Sequence, residues 1–168
     1  MEYIFDTSSI ILLFERCGLK NQLLQFSQTN KLRVPIRVIE EYAKGENVTA
    51  SSMTDFQKVF SVVNPTLEEV LLPYFNFDSS VGEIWVISYA LRNPESCCVI
   101  DEDFGRNVAT LFETRLTGAI GIIKGLKNQN LLSDNDLRQI RGRVRKSRFY
   151  LSKRLLKELD KICSSHQT

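Results

Sequence analysis

Four carboxylates in this chain stand where chemistry would need them. Asp6 follows the apolar residues 3–5, Glu41 lies six residues past Pro35, Glu83 follows Gly82, and Asp101 ends the apolar run 97–100. In open parallel sheets ligands bind outside the carboxyl ends of the strands, where loops and helix N-termini converge. Asp6 and Asp101 sit at two such ends and meet at one edge if their strands are neighbours, as the first and fourth commonly are. Clustered carboxylates repel, so a cation must offset their charge, and hard oxygen donors select Mg²⁺ or Mn²⁺. Taken singly, each acid has an ordinary use: Asp6 as a helix cap, Glu83 at a helix N-terminus, Glu41 as a solvated surface residue. Only convergence turns them into a site.

Other chemistries find little support. The single histidine, His166, lies in the last few residues, which disfavours histidine-based hydrolysis, Ser-His-Asp catalysis and histidine-rich metal binding. Neither a GxxxxGK[ST] phosphate loop nor a GxGxxG turn is present. Cys17, Cys97, Cys98 and Cys163 show no CxxC or Cys/His ligand spacing, so a reducing cytoplasm fits better than structural zinc. No apolar run approaches the ~20 residues of a membrane span, and the N-terminal residues do not read as a signal peptide.

Elements must position the acids. Residues 3–5 read as a strand, followed by a polar turn and a helix around 10–14; a second helix fits 19–26. Residues 32–35 form a strand candidate, and Pro35 opens a helix over 36–44 that Gly45 stops. Residues 45–52 are small and polar, which predicts a loop, and 59–63 a third strand. Residues 64–77 are ambiguous. The helix starting at Gly82-Glu83 ends at Asn93-Pro94; strand 97–100, helix 106–112, strand 115–117 and helix 118–127 follow. This alternation predicts a three-layer α/β/α sandwich with a mostly parallel sheet, plus C-terminal helices over 135–144 and 151–163. With 168 residues and 43% apolar content, one core is the expectation: a single domain 1–168, with 129–168 a basic helical extension.

Charge is unevenly placed. Residues 138–157 carry nine cations (Arg138, Arg141, Arg143, Arg145, Lys146, Arg148, Lys153, Arg154, Lys157) and no acid, so a chain of net +2 leaves −7 on the remainder. A solvated helix face and a phosphate-contacting surface account for such a run equally well.

In this order the pieces resemble the PIN-domain nucleases. The features are "YIFDTSS", "VPIRVIEEY", "GEIWVISYAL" and "CCVIDEDFGRNVA", over about residues 1–127. The stretch "TGAIGIIKGLKNQNLL" is similar to a prokaryotic, VapC-like branch and extends the match. The resemblance implies a metal-dependent ribonuclease in which Mg²⁺ or Mn²⁺ activates water for attack on an RNA phosphodiester. It makes Asp6, Glu83 and Asp101 metal ligands, has Glu41 bind metal or orient the water, and gives Ser8 as the hydroxyl supporting Asp6. Glu102 stands where relatives often have Asp, which leaves Asp103 as the auxiliary metal acid. Arg106, one turn past Asp101, would contact phosphate or pair with a cluster acid, and Arg141, Arg143, Arg145 and Arg148 would contact substrate phosphates. In the pattern P-x-x-V-x-x-E the register selects Glu41 over Glu40, which has Lys44 available at i+4. Implied partners are RNA, an antitoxin protein if the chain is the toxin of a toxin-antitoxin pair, and a second copy through residues among Leu71, Leu72, Tyr74, Phe75 and Phe77, for which a core role is equally open. The alternative is a non-catalytic PIN-like module that binds RNA or protein.

Overall fold

The computed structural model describes residues 1–45, 48–146 and 153–164. Five parallel strands form one sheet in the order β3-β2-β1-β4-β5: β1 (Glu2–Phe5), β2 (Lys31–Pro35), β3 (Ser61–Val63), β4 (Ser96–Val99) and β5 (Arg115–Thr117). The three-layer α/β/α architecture read from the alternation is the one observed. Helix α1 (Thr7–Ile10) widens into a π-helical segment (Ile11–Arg16), and α2 (Lys20–Phe26), α3 (Ile36–Ala43), α4 (Ala50–Val59), α5 (Gly82–Arg92), α6 (Asp103–Leu111) and α7 (Ala119–Asn128) fill the layers. Helix α2 packs with α4 and α7, while α3, α5 and α6 lie side by side. Parallel strands covered on both faces need apolar residues throughout. Accordingly β4, Ser-Cys-Cys-Val, is buried along its whole length, and Ile4 and Phe5 of β1 are fully buried.

Chain direction places the site. From β1 the chain moves outward to β2 and β3, then crosses back to β4 and β5 on the other side. The strand order therefore reverses between β1 and β4, where a crevice opens at the carboxyl edge. Phe5 pairs with Val99, and the Asp6 N–H donates to the Val99 carbonyl at 3.1 Å. Asp6 and Asp101 thus emerge together.

The region 45–63 differs from expectation. Residues 50–59 form helix α4 rather than loop and strand, and only Ser61–Val63 pairs as β3. Thr49 caps α4 by accepting from the Ser52 N–H at 3.1 Å. The sequence Ala-Ser-Ser-Met-Thr-Asp has little helical preference of its own. Its helix is held by aromatic packing: Phe56 sits 5.1 Å from Tyr42 in a stacked pair and 4.7 Å from Phe60, whose ring meets Phe5 edge-on at 5.2 Å. Residues Glu69–Phe75 form a 3-10 helix that buries Leu71 and Phe75 and exposes Tyr74.

Beyond Asn128 the chain returns to the body. Helix α8 (Asp134–Lys146) buries Leu137, Ile140 and Val144, and α9 (Lys153–Ser164) buries Leu159, all within the one core. The Lys127 ammonium donates to the Ile162 carbonyl at 2.6 Å and fastens α7 to α9. Among the described residues no helix is long and apolar enough to cross a membrane.

Because α4 depends on its aromatic anchor, Phe56→Ala is expected to cost about 3–5 kcal/mol, as for a fully buried phenylalanine. Phe56→Leu should cost much less. Urea melts of the two variants measure the difference, and equal losses would deny the ring its anchoring role.

Candidate functional site

Asp6 is the N-cap of α1 and only 1% exposed. Its Oδ1 accepts the Ser9 N–H at 2.7 Å and its Oδ2 accepts the Ser8 hydroxyl at 3.0 Å, so Ser8 does support this acid. Asp101 accepts the Ala119 N–H, at the start of α7, on Oδ1 at 3.0 Å. Ser9 joins the two acids. Its backbone holds Asp6 while its hydroxyl lies 2.9 Å from Asp101 Oδ2 and 3.2 Å from the Val99 carbonyl. Sequence reasoning passed over Ser9 in favour of Ser8; its position at the third residue after a capping Asp was the available signal.

Glu41 comes from α3. Its Oε2 accepts the Thr7 hydroxyl at 2.6 Å, linking α3 to α1 beside Asp6. Glu40 turns away and pairs with Arg37 at 3.0 Å, not with Lys44 as its spacing predicted. Glu83 occupies the first turn of α5 and is largely buried, favoured there by the helix dipole.

Three glycines leave room for these acids. A Cβ on Gly82 would lie 3.0 Å from Glu41 Oε2, one on Gly105 would lie 3.0 Å from Glu83 Cγ, and one on Gly118 would lie 2.5 Å from Asp101 Oδ1. Each glycine is at or next to a helix start, so the helices approach the carboxylates to contact distance.

Burial and mutual repulsion dominate the electrostatics. Desolvation pushes the Asp6 carboxyl up to about 7, with the Asp101 and Glu83 charges adding to the rise and the Ser9 hydrogen bonds opposing it. Glu83 is raised by desolvation and by the charges of Glu102 and Glu41. Asp101 is raised by burial and Glu102, against lowering by Ser9, Ala119 and Arg106. Of the two following acids, Glu102 is therefore the one whose charge bears on the site, while Asp103 stands exposed on the first turn of α6. Cys17 is buried and pushed up to about 12, which leaves no thiolate nucleophile at neutral pH.

Among the described residues, no three Asp, Glu, Cys or His side chains are gathered into a ready-made ligand set. The acids share one mouth rather than one point. Their chemistry nevertheless fits a hard divalent cation: the donors are carboxylate and hydroxyl oxygens, and charge repulsion is the quantity a cation would relieve.

The expected phosphate contacts are differently employed. Arg106 donates from Nη1 to the Ile100 carbonyl at 2.6 Å and the Thr117 carbonyl at 3.0 Å, tying the ends of β4 and β5 together while its charge stays near Asp101. Arg141 pairs with Asp160 at 2.6 Å across α8 and α9. Arg143 donates to the Cys17 carbonyl at 2.8 Å, over Gly18 at φ +66°, a residue whose Cβ would stand 2.6 Å from Nη1. The side chain of Arg145 and all of Arg148 lie outside the described residues.

Two stability tests follow. Gly118→Ala forces a methyl group against Asp101 and should destabilise by about 1–3 kcal/mol. Gly142→Ala, in α8 with nothing within 4 Å of the added carbon, should stabilise by up to ~1 kcal/mol. Thermal melts showing the same sign for both would refute the clearance argument. In the second test, folded Asp6 keeps its proton up to about pH 7 whereas the unfolded chain releases it near ~4. The folded state then binds more protons across that window, so this group's contribution is fully present below it and is lost as pH rises through about 7. Asp6→Asn retains a capping oxygen without the charge. In chelator at pH 8 it should be more stable than the parent by ~2–4 kcal/mol, with the advantage vanishing toward pH 4. A pH-independent difference would show that charge burial is not the cause.

A family model described as a PIN domain matches residues 2–164, so the match includes the C-terminal helices as well as the sheet. No curated protein matches the chain. The matched span, the five-stranded parallel sheet and the acids at its switch point agree, and the chain belongs to the PIN-domain family.

Proposed function

We propose that this protein is a metal-dependent ribonuclease that hydrolyses RNA phosphodiester bonds at the mouth formed by Asp6, Glu41, Glu83 and Asp101. PIN domains are generally nucleases, which sets the reaction class. The observation that carries the reading is the Asp6-Ser9-Asp101 connection: two buried carboxylates from adjacent strands, bridged by one serine and held apart from their ordinary ionisation. Such repulsion costs stability and gives the fold nothing in return. A site that binds a cation accounts for it.

In this reading Asp6, Glu83 and Asp101 hold Mg²⁺ or Mn²⁺, with Asp103 the outlying acid of the expected set and Glu102 closer in electrostatic effect. A bound ion supplies a water of lowered pKa and offsets charge developing on phosphate oxygens. The chain's own residues do the rest. Ser9 fixes the relative orientation of Asp6 and Asp101. Thr7 holds Glu41 by one carboxylate oxygen, leaving the other to orient a water or accept its proton. Gly105 and Gly118 keep the approach to Glu83 and Asp101 free of side chains. Arg106 places a fixed cation beside Asp101, where the phosphate of a bound strand would come. The VapC-like branch, with a masking antitoxin protein, is the cellular form of this proposal that the resemblance implies; its chemistry is the same.

Cleavage of a fluorescently labelled oligoribonucleotide in Mn²⁺ or Mg²⁺ tests the reading. Asp6→Asn and Asp101→Asn should each abolish cleavage while the protein stays folded, and chelator should do the same to the parent. Glu41→Gln should lower cleavage and metal affinity together. Glu40→Gln should change neither by more than the ~0.5 kcal/mol usual for surface substitutions. RNA binding without cleavage in any divalent ion would turn the protein into the non-catalytic module instead.

A further inference from the structure

We propose that Phe77 and Phe104 form a stacking platform beside the acid mouth that holds unpaired bases of a single-stranded nucleic acid. The substrate is thereby recognised through its bases as well as its phosphates. The inference rests on the nuclease reading above and specifies its substrate.

Phe104 lies in the first turn of α6, between Asp103 and Gly105, and its side chain leaves the residue 55% exposed. Gly105 abuts Glu83, so the ring stands one residue from the carboxylate cluster. It is braced, not loose: the buried Phe75 meets it edge-to-face at 5.4 Å and 86°. Phe77 follows Phe75 by two residues and is 74% exposed. Its backbone is left-handed at φ 59°, directly after Asn76 at φ 52°. For a bulky residue that conformation is an outlier, and strain of this kind concentrates at ligand sites. The loop is nonetheless fixed. The Phe77 N–H donates to Leu72 at 2.8 Å, that of Asp78 to Phe75 at 2.9 Å, and that of Ser80 to the Asp78 carboxylate at 2.8 Å, just before α5 delivers Glu83. A strained and rigid loop thus presents a ring to solvent that the core does not use.

Charge favours a base-stacking ligand. Asp6, Glu41, Glu83, Asp101, Glu102 and Asp103 surround the mouth and repel phosphates, while Arg141 and Arg143 are engaged in holding α8 in place. Attraction at the mouth itself must then include an uncharged contribution. Base-aromatic stacking provides one, tolerates any sequence, and requires bases that are not paired. A duplex would keep its bases from the rings.

The test uses the full chain carrying Asp101→Asn, so that the probe stays intact, and single-stranded oligoribonucleotides with 2-aminopurine placed at successive positions. Stacking should quench the fluorophore at one or two adjacent positions. Phe77→Leu and Phe104→Leu, both at exposed sites that leave melting nearly unchanged, should relieve the quench and weaken binding by about 5- to 100-fold. Phe→Trp at either position should retain it. An abasic residue at the quenched position should weaken the parent and bring it level with the leucine variants. Equal quench and affinity in parent and leucine variants would overturn the proposal. So would leucine variants that leave binding intact but convert a dimer to a monomer in sedimentation, since the rings would then cover a second copy. If binding and quench follow expectation while the Asp101-containing protein cleaves nothing, stacking stands and the ribonuclease reading falls.

Discussion

The arrangement depends on one constraint: two carboxylates must be held, buried, at the ends of adjacent parallel strands. Asp6 and Asp101 emerge where the strand order reverses, and Ser9 contacts both. Desolvation alone would drive each carboxyl toward its neutral form. The hydrogen bonds from Ser9 and from the start of α7 counter that tendency without cancelling it. What results is a pair of acids at higher free energy than solvated ones, fixed in direction by the most rigid part of the molecule.

Around that pair the helices are placed by clearance as much as by attraction. Gly82, Gly105 and Gly118 let α5, α6 and α7 begin against Glu41, Glu83 and Asp101, and any larger residue would press on a carboxylate. Thr7 adds α3 to the same assembly through Glu41. The acids therefore report on the position of five helices. A shift in any one of them changes a distance at the mouth, which is why the apolar layers beneath must be closely packed.

The C-terminal helices belong to this architecture. Arg143 reaches the Cys17 carbonyl, at the end of the π-helical segment that continues from the helix capped by Asp6, and Leu137, Ile140 and Leu159 enter the common core. Two of the arginines expected to face phosphates serve instead as internal fastenings. A run of cations in sequence did not translate into a uniform cationic face, because helix geometry sends neighbours in sequence to different sides.

The sequence by itself determined the alternation of strands and helices, the ends at which Asp6 and Asp101 appear, and the choice of Glu41 over Glu40. These follow from local patterns: apolar runs fully buried between two layers, prolines and glycines at boundaries, and the 3.6-residue period of a helix. The order of the acids and the surrounding motifs carried the family resemblance. Only the tertiary structure decided the rest. Helix α4 was illegible because its polar residues do not favour a helix until Phe56 finds Tyr42 and Phe60. Glu40 took Arg37 rather than Lys44 because both spacings are allowed on a helix and rotamers choose between them. Ser9, Thr7 and the three glycines gained their roles from partners up to 92 residues away. Such contacts are set by how the layers close over one another, and a residue's neighbours along the chain hold no record of them.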